Sequence, residues 1–133
     1  MLEVGISELR QAFARHRAAN LRDPNPLLLF YATECGLKAV WMRRNNIRTT
    51  RPLVYLLSEE GHNLMYWAKE LRLPRYLIEK PISFRLRRGP GSFGIELSHQ
   101  AWRYGVQMVV ADETSLIDWL MKISEWVGQE LSI

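Results

Sequence analysis

Apolar residues in this chain recur every three or four positions over most of its length and every second position in only one stretch, which predicts a helical bundle with one small extended insert. Leu2, Ile6, Leu9, Phe13, His16 and Asn20 share a helical face, so a first helix is expected over about 7–21. Pro24 and Pro26 break it, because a proline disfavours helix in the residue before it. Asn25 is suited to cap a second helix, with Pro26 in its first turn, running to about residue 45. Residues 27–42 of that helix are apolar almost all round, which marks it as the central rod of the bundle. A short helical piece is expected after Arg51-Pro52, stopped by Gly61. The next helix carries Leu64, Trp67, Ala68 and Leu71 on one face; Pro74 ends it, and a brief turn or helix follows around Tyr76–Ile78.

From Pro81 the period changes. Ile82, Phe84 and Leu86 alternate with Ser83, Arg85 and Arg87 ahead of a Gly/Pro-rich run at 89–94, a strand-like pattern. Residues 106–110 are short and valine-rich, so a small two-stranded ribbon between 82–86 and 106–110 is expected. Helix returns over about 96–104 with Gly105 as its stop. The last helix has the clearest stripe, Leu116, Leu120, Ile123, Val127 and Leu131, with Asp118, Glu125 and Glu130 off it. The expected fold class is therefore all-α, four to six helices in a single domain spanning 1–133.

Composition adds two constraints. Cys35 is the only cysteine and sits in an apolar run, so disulfide scaffolding is excluded and a core thiol is expected. The N-terminus lacks the layout of a signal peptide, and the apolar stretch at 27–42 is too short to span a bilayer, so a cytoplasmic protein is expected. Charge is segregated: residues 1–57 carry a net +5, residues 58–105 a net +3 and the last 28 residues a net −4. Arginine supplies 14 of the 18 cations, and its planar fork suits phosphate or carboxylate. A basic body with an acidic final helix fits nucleic acid, an acidic partner or self-association, as well as plain solubilising charge.

Tyr31, Glu34, Lys38 and Ala39 on the central helix, then Gly61, His62, Asn63 and Leu64 at the start of a later helix, then Arg103-Tyr104, come in an order that resembles the HEPN superfamily. The resemblance covers most of residues 26–131. It implies an all-α bundle, frequent homodimerisation, and a bacterial or archaeal setting biased towards RNA cleavage, nucleotide binding, toxin–antitoxin pairs and antiviral defence. Nuclease members carry Arg-x4-6-His at the start of a late helix. Counting from Arg103, the histidine positions hold Met108, Val109 and Val110, none of which can move a proton. Arg10 and His16 match the spacing, but inside the first helix. The resemblance thus implies a binding or accessory subunit without an intact nuclease motif, in contact with nucleic acid or an acidic protein.

Several side-chain groups remain as candidate chemistry. Glu34 and Lys38, at i and i+4, are expected to form a partly buried structural ion pair. His99 and Arg103 share the same spacing. With His62 in support they would supply the proton transfer and the cation that a metal-independent ribonuclease needs; the competing reading places His99 in packing and Arg103 in an ion pair. Residues 89–94 formally match G-x-G-x-x-G, but no βαβ unit surrounds them. Arg85, Arg87 and Arg88 beside that turn, and Arg43 and Arg44 at the end of the central helix, are candidate phosphate or nucleic-acid contacts. The same 85–94 loop is the candidate for a nucleotide-binding module. Phe84 and Phe93, interleaved with its arginines, suit stacking on single-stranded nucleic acid. The scattered histidines and lone cysteine match no metal spacing, and no cofactor is expected. Trp126, beside the main stripe of the last helix, is a candidate association residue.

Overall fold

The computed structural model describes residues 4–49, 63–79 and 82–132. The expected short helix after Arg51, Gly61 and His62 lie outside the described residues. Six α-helices are present among the rest: α1 (Ile6–Arg22), α2 (Pro26–Arg44), α3 (Leu64–Glu70), α4 (Arg75–Ile78), α5 (Ser98–Tyr104) and α6 (Val110–Leu131). Two short strands, β1 (Ser83–Phe84) and β2 (Phe93–Gly94), form an antiparallel ribbon. The expected all-α bundle with a small ribbon is what the chain adopts.

α2 is the axis. Its cap works as the sequence suggests: Asn25 Oδ1 accepts from the backbone N–H groups of Leu27 and Leu28, at 3.0 and 3.3 Å. The Asn20 side chain in turn accepts from Asn25 N–H at 2.7 Å, locking the α1–α2 turn. Eleven of its residues are buried, from Leu29 to Met42, and they are spread all round the helix. α1 and α6 pack along it, with α3 and α5 on its remaining sides. Where α1, α2 and α6 meet, Gly36 removes the side chain altogether. A Cβ placed there would lie 2.5 Å from Val127 Cγ1 and 2.8 Å from Phe13 Cδ1. Only glycine lets the three backbones come this close.

Phe13, Phe30, Leu37, Trp67, Leu116, Leu120 and Ile123 are among the fully buried side chains. Each contributes roughly 1.5–3 kcal/mol through removal from water, so the bundle carries the stability. The stripe of α6 lies wholly inside: Leu116, Leu120, Ile123, Val127 and Leu131 are all buried. Trp67 and Trp119 are core residues, and the Trp119 indole N–H donates to Leu77 C=O at 2.8 Å, which ties α6 to α4.

The acidic α6 has no basic residue in its own last turn. The cations come from elsewhere. Arg10 on α1 donates to Leu131 C=O at 3.0 Å, Arg43 to Glu130 C=O at 2.7 Å, and Arg44 to the Glu130 carboxylate at 2.6 Å. These arginines satisfy carbonyls that a helix end leaves open and complement its negative pole. Arg44 also donates to Leu71 C=O at 2.5 Å and lies over the Trp126 ring, 5.4 Å from its centroid. Much of the segregation of charge along the chain is thus used within one molecule. No described helix is long and apolar enough to cross a membrane.

Candidate nucleic-acid interface

The ribbon end of the bundle gathers the features that the core does not consume. β1 and β2 are joined through a turn in which Gly89 and Gly91 take φ of +95° and +87°, a conformation that favours glycine. Register pairs Phe84 with Phe93, and their rings pack with centroids 5.7 Å apart and planes tilted by 33°. Past β1 the chain pairs a second time. Leu86 bridges Met108, flanked by Arg87 N–H to Gln107 C=O at 3.0 Å and Val109 N–H to Arg85 C=O at 2.8 Å. The expected pairing of 82–86 with 106–110 is therefore present as this bridge, and the glycine turn adds β2 as a second partner. Residues 82–84 thus pair with β2 and its flank, and residues 85–87 with 107–109.

One clamp fixes this assembly to the bundle. Asp112, in the first turn of α6, accepts from Arg85 Nε at 3.0 Å, from Nη2 at 3.2 Å and from the Arg85 backbone N–H at 2.8 Å. Those hydrogen bonds hold the Asp112 carboxyl below its ordinary value and the Arg85 guanidinium above its own.

Two adjoining depressions open on this surface and share Leu86 and Val106 as a common wall. The first, about 210 Å3, is apolar and lies among Phe84, Phe93, Leu97, Ala101 and Tyr104, with Gln100 at its edge. The second, about 480 Å3, is lined by Arg87, Arg88, Gly105 and Gln107. Arg87 makes one side-chain hydrogen bond, to Gln107 Oε1 at 3.2 Å, and Arg88 is exposed with no partner among the described residues.

The residues singled out from the sequence fall into distinct environments. Glu34 and Lys38 form the expected ion pair, Oε2 to Nζ 3.5 Å, with both side chains mostly buried. Beside them, burial pushes the Cys35 thiol up to about 11, with the Glu34 charge adding to the shift. His99 is only 4% exposed and packs against Phe30, ring centroids 4.9 Å apart and planes tilted by 32°. Arg103, four residues on, is exposed; it donates to the Tyr31 hydroxyl and lies over that ring, 5.8 Å from its centroid. Hydrogen bonding to Tyr31, and next to Tyr104, holds the Arg103 guanidinium above its ordinary value. The imidazole thus belongs to the core and the guanidinium to the surface, and the supporting residue His62 lies outside the described residues. Arg43, Arg44 and Arg85 are engaged by Glu130, Leu71 and Asp112. Trp126 is half-buried beneath Arg44.

Tyr104, Gln100, Val106 and Gln107 were not among the sequence candidates for ligand contact. Their signal was faint: Gly105, at φ +68°, ends α5 and turns Val106 and Gln107 towards the ribbon, which only the bridge to Leu86 makes visible. Among the described residues, no group of three or more His, Cys, Asp or Glu side chains is placed to hold a metal ion.

Comparison with protein-family models, with curated proteins and with solved structures finds no match to this chain. The functional reading therefore rests on the residues and their arrangement.

Proposed function

We propose that this chain is a non-catalytic, HEPN-like binding subunit that holds nucleic acid on its ribbon end, in a bacterial defence or toxin–antitoxin setting. The observation that carries the reading is the contrast among the arginines. Arg43, Arg44 and Arg85 are engaged by carbonyls and carboxylates, whereas Arg87 and Arg88 border an open depression beside exposed aromatic and apolar surface. Guanidinium groups with vacant donors next to stacking surfaces suit phosphate and base together. The HEPN-like kinship is supported by the meeting of Tyr31 with Arg103, two signature residues separated by 72 positions.

The non-catalytic part of the reading is supported by His99. A general acid or base must reach the ribose hydroxyl within hydrogen-bonding distance, and a histidine packed on Phe30 inside the bundle does not face such a ligand.

Fluorescence anisotropy with a labelled RNA, titrated at several salt concentrations, tests the binding reading. Arg87→Ala/Arg88→Ala should weaken binding and flatten the salt slope by about 1.4 if each arginine contacts one phosphate of a single strand. Incubation of wild type, His99→Ala and Arg103→Ala with RNA in EDTA tests the rest. Cleavage lost in both variants would replace the accessory reading by a metal-independent ribonuclease.

A further inference from the structure

We infer that the apolar depression beside Arg87 and Arg88 is a base-stacking subsite, so that the ligand is an unpaired strand with one base laid against Tyr104 and Phe93 and a flanking phosphate at the two arginines. The inference rests on the nucleic-acid reading above and names what that ligand must be. Size is the first argument. At about 210 Å3 the depression is smaller than the roughly 300–1,000 Å3 of pockets that enclose drug-sized ligands, and it suits one planar ring system. Its chemistry is the second. Phe93 and Tyr104 contribute aromatic rings, Leu97 and Val106 aliphatic side chains, and Gln100 an amide able both to give and to accept a hydrogen bond.

Exposure is the third argument. Tyr104 is 72% exposed, Val106 44% and Leu97 38%, three of the seven exposed large apolar side chains among the described residues, and all three line this one depression. Tyr104 closes α5 just before Gly105, next to Arg103, whose guanidinium is bonded to the Tyr31 hydroxyl. Position completes the case, because Leu86 and Val106 wall both depressions and so set the base subsite next to the phosphate contacts. A duplex keeps its base faces covered in the stack, so it can use the arginines but not the groove.

The test is anisotropy with labelled oligonucleotides of one sequence as single-stranded RNA, single-stranded DNA and RNA duplex, using wild type, Tyr104→Ala, Tyr104→Phe and Arg87→Ala/Arg88→Ala. Single strands should bind more tightly than duplex. Tyr104→Ala, with unchanged circular dichroism, should lose about tenfold in affinity with the salt slope intact, while Tyr104→Phe retains binding. Equal binding of RNA and DNA fits stacking on the base alone; tighter binding of RNA adds a contact to the 2′-hydroxyl. Duplex bound as well as single strand, or Tyr104→Ala bound as well as wild type while the arginine variant weakens, overturns the base subsite and leaves the phosphate reading standing. Absence of any binding by wild type removes both.

Discussion

The two ends of α6 handle arginine in opposite ways. At its C-terminal end Arg10, Arg43 and Arg44 converge on Glu130 and Leu131, and their donors are spent on the protein's own carbonyls and carboxylate. At its N-terminal end Asp112 takes Arg85 alone, and Arg87 and Arg88 continue along the ribbon into open solvent. One set of guanidinium groups is part of the fold and the other faces solvent. A count of basic residues cannot separate the two sets, although their chemistry is identical. What separates them is whether a helix end or a carboxylate lies within reach.

Substitutions on the two sides should split accordingly. The largest effect is expected at the packed centre that both ends depend on. Gly36→Val drives a branched side chain into Val127 and Phe13, and chemical denaturation should show a loss of roughly 2–3 kcal/mol or more. A wild-type midpoint would mean that α1, α2 and α6 do not approach as described. Arg44→Ala comes next. It removes two hydrogen bonds and a cation–π contact from a half-exposed side chain, and after allowance for solvent screening a loss of about 1 kcal/mol is expected in the same measurement.

pH sharpens the comparison further. Asp112 has its folded value lowered by Arg85, so the clamp's contribution is complete above the ordinary carboxylate range and disappears as pH falls through the folded value. Wild type minus Asp112→Asn, followed by hydrogen exchange at 85–87 and 107–109, should therefore shrink on acidification. Cys35 has the opposite sign of shift. Its thiol is held neutral up to about 11 against an ordinary 9.0, so the unfolded chain ionises first and stability falls as pH rises from 9 to 11. Cys35→Ala should lack that increment of alkaline loss in thermal melts. The smallest effect on stability belongs to Arg87→Ala/Arg88→Ala, whose melting temperature should match wild type while nucleic-acid binding weakens.

Periodicity was decisive where a pattern had only one way to be buried. The all-round apolar 27–42 can only be an interior rod, and the stripe from Leu116 to Leu131 can only face it. Asn25 before Pro26 placed a helix start for reasons confined to a few neighbouring residues. The Glu34–Lys38 pair was equally readable, because i and i+4 meet on any helix. His99 and Arg103 show where such reasoning ends. The same spacing holds for them, yet it states only that the two share a side of a short helix, and His99 in the first turn of α5 is buried while the last turn meets Tyr31 and solvent.

From the order of residues alone came the bundle, its axis, the Asn25 cap, the Gly105 stop and the extended stretch at 82–86, since these follow from local backbone preference and from which face must avoid water. The tertiary structure decided which arginines are spent and which are open, that His99 is interior, and that Tyr104, Gln100 and Val106 join Phe93 around one depression. Those outcomes depend on distances between segments far apart in the chain, and short-range patterns of hydrophobicity carry no information about them.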